Sequence, residues 1–388
     1  MTDFFSGNRI ELLESGAAYF PALLAALAAA ECEIHVETYI FADDATGRAV
    51  AAALAAAARR GVAVRVLVDG FGARDFPQGL GRTISAAGGT VEVYRPEVAR
   101  LRLRRNRLRR LHRKLAVIDG RVAFAGGINI IDDADSPRFG PRFDYAVQIE
   151  GPLVARIHAA VHHLWRLVGW ARLQRRPAPL MPTPCGAHAV AGTVSAALVI
   201  RDNLRHRRDI EHAYLAALRR ARGEIVIASA YFLPGRRFRG ALLEAAARGV
   251  KVTLLLQGQV EYALLHFATQ ALYGRLLAGG VRLFEYRSGF LHAKAAVVDA
   301  RWATVGSSNI DPFSLLLARE ANVVVRDAGF AARLRESLGG VIARDAVEIT
   351  HADFARSSLP ARMLRWFAYG MVRLLLGITR YGGNDYRE

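Results

Sequence analysis

Leu111-His112-Arg113-Lys114-Leu115-Ala116-Val117-Ile118-Asp119 and Leu291-His292-Ala293-Lys294-Ala295-Ala296-Val297-Val298-Asp299 are two copies of one pattern, His-x-Lys-x4-Asp, set 180 residues apart. Only three lysines occur in the 388 residues, against fifty arginines, and two of them hold the same place in these copies; Lys251 lies in neither. Elsewhere arginine accompanies the long Ala, Arg, Gly and Leu runs of the composition. An ammonium kept twice, two residues after a histidine and five before an aspartate, points to chemistry a guanidinium cannot do. Lysine is a compact point charge and arginine a planar fork.

The repeat extends outward from the motifs. Residues 33–41 (EIHVETYIF) match 224–232 (EIVIASAYF) at an offset of 191, and residues 60–70 match 248–258 at 188. Each copy ends in a Gly-x-x-Asn element, Gly126-Gly127-Ile128-Asn129 and Gly306-Ser307-Ser308-Asn309. Short β-rich runs alternating with Ala-rich helical ones predict an α/β domain present twice. Pro177, Pro179, Pro182, Pro184, Gly186 and Gly192 mark the linker. The expected division is a first domain over 1–174, a linker over 175–196, a second domain over 197–356 and a tail over 357–388. The first copy carries eight extra residues before its motif, and nine of the fifteen residues 100–114 are basic with none acidic. That run is expected to bind an anionic surface or substrate.

Hydrophobic content of 52% excludes a disordered chain. A formal charge of +18 calls for an acidic partner, nucleic acid or an anionic membrane surface. Cys32 and Cys185 give no disulfide framework and fit a reducing compartment. Residues 1–6 do not read as a signal peptide. The apolar stretch 17–30 contains Pro21 and is too short for the roughly 20 residues that span a bilayer; it reads as a core helix capped by Ser15. The chain is expected to be soluble or peripheral.

Strand alternation puts His112 and Lys114 on one face, and likewise His292 and Lys294. An imidazole beside a fixed ammonium suits phosphoryl chemistry: the lysine neutralises a phosphate oxygen, and the histidine attacks phosphorus or moves a proton. Two such pairs facing each other supply a nucleophile, a general acid/base and two cationic clamps, so no metal or other cofactor is expected. Asn129 and Asn309 can add amide donors, and Ser307 and Ser308 hydroxyls. His158 and His162 have a metal-like spacing, but no third ligand is evident and they read as ordinary helix residues. Asp69-Gly70 reads as a strand-ending turn.

These motifs resemble the paired HKD motifs of the phospholipase D superfamily over most of the chain. Residues 145–152 (YAVQIEGP), 306–309 and 319–323 (REANV) resemble more narrowly the bacterial cardiolipin synthases, in particular the B-type branch without N-terminal transmembrane helices. The resemblance implies tandem phospholipase D-like α/β sandwich repeats related by a pseudo-twofold, with the active site at their interface. It implies condensation of two phosphatidylglycerols into cardiolipin and glycerol through a phosphatidyl-histidine. The implied catalytic set is His112, Lys114, Asp119, His292, Lys294 and Asp299, with His112 as nucleophile and His292 as general acid and base. Asp119 and Asp299, at their strand ends, are expected to orient the site rather than touch substrate. Asp144 and Glu320 are the implied acids that steady the histidines, and Glu37 is a candidate supporting residue whose repeat counterpart is Ala228.

Residues 361–381 predict a helix with Arg362, Arg365, Arg373 and Arg380 on one side and Leu364, Phe367, Met371, Leu374, Leu375 and Ile378 opposite. That pattern fits a helix lying in a membrane surface, or one packed on the protein's own core. The implied partners are phosphatidylglycerol and an anionic membrane surface, with no specific nucleic acid and no obligate protein partner. The implied location is peripheral, on the cytoplasmic face of the bacterial inner membrane. The alternatives are another transphosphatidylase or hydrolase on the same scaffold, with phosphatidylethanolamine as donor for example, or an HKD nuclease.

Overall fold

The computed structural model describes residues 2–96, 109–134, 140–171, 189–202 and 204–378. Residues 100–108 of the arginine run, most of the linker with Cys185, and Arg380 lie outside the described residues.

The first copy contributes β1 (Phe5–Glu14), β2 (Glu33–Thr38), β3 (Ala63–Asp69), β4 (Thr90–Tyr94), β5 (Lys114–Ile118), β6 (Val122–Gly126), β7 (Arg142–Phe143) and β8 (Tyr145–Glu150). The second contributes β9 (Val194–Arg201), β10 (Glu224–Ser229), β11 (Lys251–Gln257), β12 (Arg282–Tyr286), β13 (Phe290–Leu291), β14 (Lys294–Val298), β15 (Trp302–Gly306), β16 (Glu320–Arg326) and β17 (Ala346–Ile349). One sheet runs through both, in the order β4-β3-β2-β5-β6-β8-β1-β9-β16-β15-β14-β10-β11-β12-β17. Read outward from the β1–β9 seam, the two halves mirror each other until β17 adds an edge. The repeat seen in the sequence is thus a structural pseudo-twofold.

Local chemistry explains the motif strands. β5 and β6 form a hairpin whose turn residues Asp119 and Gly120 have φ of 53° and 65°, as a type I′ turn needs. The second copy makes the same turn with Asp299 and Ala300, at φ 52° and 46°, so an alanine stands in the left-handed region there.

Three apolar layers hold the sheet. Helices of the first copy cover its outer face, with Leu23, Leu27, Val50 and Leu54 against Ile34, Val36, Val64 and Val66. An equivalent layer covers the second copy. The inner layer belongs to both: Leu115, Val117, Tyr145 and Val147 join Val226, Ala295, Val297 and Val323 around the helices Leu153–Ala171 and Ala328–Asp345. The copies therefore share a core.

Strand β9 begins at Val194, inside the expected linker, and pairs with β1. Two expectations change. The first helix starts at Ser15, which has φ 55° and makes no side-chain cap; its N–H donates to Asp144 O at 2.8 Å. Cys32 is disulfide-bonded rather than a free thiol. The terminal helix, Leu359–Ile378, lies against the body. Its Ala368 and Val372 enter the second copy's outer core, Arg365 donates to Gln270 at 3.0 Å, and Arg239 donates to the Tyr369 hydroxyl at 3.0 Å. Among the described residues no helix is long and apolar enough to cross a membrane.

Candidate active site

His112 and His292 each sit just before the strand that carries their lysine, and a neighbour from the other copy pins each backbone. The His112 N–H donates to Arg319 O at 3.0 Å, and the His292 N–H to Phe143 O at 2.8 Å. β13 pairs with β7 in parallel, and Leu111 makes the equivalent bridge to Arg319. These crossings deliver each histidine to the other copy's carboxylate. His112 Nδ1 lies 3.0 Å from Glu320 Oε1, and His292 Nδ1 lies 2.6 Å from Asp144 Oδ2. A carboxylate on Nδ1 fixes the tautomer and leaves Nε2 with the reactive lone pair.

Lys114 Nζ donates to His112 O at 2.6 Å, and Lys294 Nζ donates to His292 O. Lys294 also lies 3.6 Å from Asp144 Oδ2. Both ammonium groups are almost wholly buried, at 4% and 1% exposure. Burial pushes Lys114 down to about 7, with Glu320 opposing and Lys294 reinforcing the fall. Lys294 is lowered by the same burial against the pull of Asp144 and Glu320. Burial lowers His112, with Glu320 resisting. His292 is pushed well below the usual imidazole range by burial, then by Lys294, Lys114, Arg142 and His112. Each histidine is held by a carboxylate of the other copy, so the two motifs lie side by side. Burial raises Asp144 to about 6 against the two lysines.

The remaining predicted residues separate by position. Asn129 Oδ1 accepts from Ile40 N at 3.2 Å and Asn309 Oδ1 from Tyr231 N at 3.4 Å, which leaves only the amide NH2 of each to donate. Ser307 Oγ is committed to Glu320 and Ala321, so it supports the acid instead of offering a free hydroxyl. Ser308 Oγ donates to Asn309 O at 3.2 Å. Asp119 and Asp299 stand at the far ends of β5 and β14, roughly 15 Å along the strand from their lysines. Asp119 accepts the N–H groups of Glu31, Cys32 and Glu33. Asp299 likewise accepts those of Arg222, Gly223 and Glu224. Each aspartate clamps the entry to the neighbouring strand and touches no reacting group.

Asp69 and Tyr39 go beyond the sequence reading, and Glu37, already a candidate, gains a partner. Asp69 is more than a turn residue: its Oδ2 accepts from Leu111 N at 2.8 Å and fixes the segment carrying His112. Glu37 supports the site through Arg113, a buried pair at 2.5 and 2.8 Å, and not through a histidine. The Tyr39 ring centre lies 4.9 Å from that of His112 and 5.6 Å from Lys114 Nζ. The strand-end Asp and the charge-paired Glu were the available signals; the ring had none.

Residues 23–165 and 214–341 match the family described as "Cardiolipin synthase, PLD-like domain". The chain belongs to this family. It is 42% identical over 381 residues to cardiolipin synthase B of Escherichia coli strain K12, covering 93% of this chain and 89% of that one. It is 30% identical to the major cardiolipin synthase ClsA of Bacillus subtilis strain 168, covering 85% of this chain and 68% of that one. Its fold matches phosphatidylserine synthase of Haemophilus influenzae Rd KW20 with a TM-score of 0.68 at 13% identity, covering 96% of this chain and 94% of that one. The polyphosphate kinase of Porphyromonas gingivalis matches at 0.57 and 15% identity, over 96% of this chain and 53% of that one.

Two predictions follow from the packing of the pocket. A Cβ on Gly127 would stand 2.4 Å from both Asp144 carboxylate oxygens. Gly127→Ala is therefore expected to displace Asp144 from His292 and lower kcat about 100-fold, with the circular dichroism spectrum unchanged. Lys114 is depressed from 10.5 to about 7, so the folded protein carries a cost that is complete below pH 7. That cost shrinks as pH rises toward the unfolded value. Lys114→Met should raise Tm at pH 7 while losing turnover, and the gain should fade between pH 7 and 10. Thermal melts across that range check it; a gain that grows with pH would contradict the assignment.

Proposed function

We propose that this protein is a cardiolipin synthase that transfers a phosphatidyl group between two phosphatidylglycerols. The observation that carries the reading is the reciprocal pairing of His112 with Glu320 and His292 with Asp144 around two buried lysines. His112 Nε2 attacks phosphorus, and the P–O bond to glycerol breaks as His292 gives the leaving oxygen a proton. His292 then takes the proton from the incoming glycerol hydroxyl of the second lipid. That oxygen attacks phosphorus, the P–N bond breaks and His112 is regenerated. Lys114, Lys294 and the amide groups of Asn129 and Asn309 neutralise the phosphate throughout. Entry of the phosphate adds negative charge beside His292, which restores its ability to hold a proton. Burial of the phosphatidyl-histidine limits hydrolysis.

The surface supports work at an anionic bilayer. The helix Leu359–Ile378 turns Ala368 and Val372 inward and leaves Met363 at 73%, Phe367 at 65%, Trp366 at 63% and Leu374 at 57% exposure. Beneath it runs a groove of about 450 Å³ lined by Arg236, Arg239, Arg275, Arg362, Arg365 and Arg373. Among the described residues no carboxylate lines it. Large apolar side chains beside clustered guanidinium groups suit insertion among anionic headgroups. The helix is thus docked on the core by one side and offers the other to lipid.

His112→Ala and His292→Ala are each expected to abolish conversion of labelled phosphatidylglycerol to cardiolipin in mixed micelles. The double variant should be no worse than either single one, because the two act as a unit. Robust turnover in either single variant would remove the composite site. Phosphatidylethanolamine offered alongside identifies the donor.

Phe367→Ser with Leu374→Ser should cut co-sedimentation with phosphatidylglycerol vesicles several-fold and leave Tm unchanged. Turnover of short-chain soluble substrate should persist. A lower Tm with normal vesicle binding would assign the face to packing.

A further inference from the structure

His158 and His162 lie one turn apart on the inner helix Leu153–Ala171, and the fold sets β2 opposite them. The third ligand that local spacing does not reveal is there. Glu33 and His35, two residues apart on β2 and so on one face, are 1% and 2% exposed. One ligand atom from each of Glu33, His35 and His158 lies within 4.8 Å of the others. The three imidazole ring centres stand 5.9 to 6.1 Å apart.

The decisive contact is between Glu33 Oε1 and His158 Nε2. The two atoms are 2.7 Å apart and buried, yet neither makes a hydrogen bond. So close an approach without hydrogen-bond alignment leaves both buried atoms unsatisfied unless a third partner, such as a cation, joins them. A tetrahedral ion with bonds of about 2.0–2.2 Å spaces its ligands by roughly 3.4 Å, so side-chain shifts of about an ångström close the set.

We propose that Glu33 Oε1, His35 and His158 hold a divalent zinc-class ion, with His162 or water as the fourth ligand. Two imidazoles and one carboxylate match the nitrogen and oxygen preference of zinc. Calcium and magnesium require a shell of six or more oxygens that this cluster does not provide. Arg65 NH1 lies 3.5 Å from Glu33 Oε2 and 3.5 Å from His35 Nε2. When the ion takes over the His35 contact, Arg65 keeps Oε2 and so orients the ligating carboxylate from outside. The site is separate from the phosphate pocket. It fastens β2 to the inner helix, and the next inward residue of β2, Glu37, holds Arg113, which also donates to Ala160 O of that helix at 3.0 Å. The ion therefore steadies the wall behind His112 and takes no part in phosphoryl transfer.

The test uses the full chain purified without chelator or histidine tag. One zinc per chain by elemental analysis is expected. Adding Zn²⁺ to chelator-stripped protein should raise Tm on the order of 5 °C, and Co²⁺ should give the intense visible bands of a four-coordinate ion. Glu33→Gln and His158→Gln should lose the metal and the Tm response, while His292→Ala keeps both. Should either glutamine variant fail to fold, the cobalt spectrum of the unaltered protein and loss of the metal in His35→Gln decide. A solvent-like six-coordinate spectrum, substoichiometric zinc with no Tm response, metal retained in both folded glutamine variants, or metal lost in His292→Ala would each overturn the site.

Discussion

Everything about the pocket depends on one exchange. The acid that holds each histidine comes from the opposite copy, across sequence separations of 208 and 148 residues. Neither half can then present an oriented imidazole alone. The exchange is built into the backbone, since the segments carrying the histidines and the acids pair with each other through β7, β13 and the Leu111–Arg319 bridge. The shared inner core keeps the copies registered, and a slip there would part both imidazoles from their carboxylates together.

Such a site is costly to fold. Two ammonium groups and two carboxylates are almost dry beside two part-buried imidazoles, and the shift on Lys114 alone corresponds to a penalty on the order of a few kcal/mol. The compensation lies next to it. Each large apolar side chain of the shared layer contributes about 1.5–3 kcal/mol when buried, and Leu115, Val117, Tyr145, Val147, Val297 and Val323 are all there. A few of them offset one buried cation. Stability is thus given up for a dry, charged site.

The same logic separates the arginines from the lysines. The six arginines of the groove between the terminal helix and the body show this, since a wide guanidinium can reach an anion there while its stem covers apolar surface. Lys251 is exposed, whereas the two motif lysines are buried: Lys294 Nζ fits between the His292 carbonyl and Asp144, and Lys114 Nζ donates to the His112 carbonyl.

The sequence by itself determined the duplication, the α/β class, the two histidine–lysine pairs and the amphipathic end of the chain. Each of these is a local or periodic pattern, and a repeated pattern needs no knowledge of packing to be seen. Only the tertiary structure decided that Asp144 serves His292 and Glu320 serves His112, or that Ser307 braces Glu320. It also sent Asp119 and Asp299 to backbone amides far from the phosphate. The side of the terminal helix that meets the body is likewise a matter of packing: Ala368 and Val372 fit the surface beneath, and Phe367 does not. His158 shows the difference most directly. In the sequence it is one helical histidine among several, and only the β2 strand laid across it brings Glu33 and His35 within reach. Contacts between residues far apart in the chain follow from how sheets and helices pack, and spacing along the chain does not encode them.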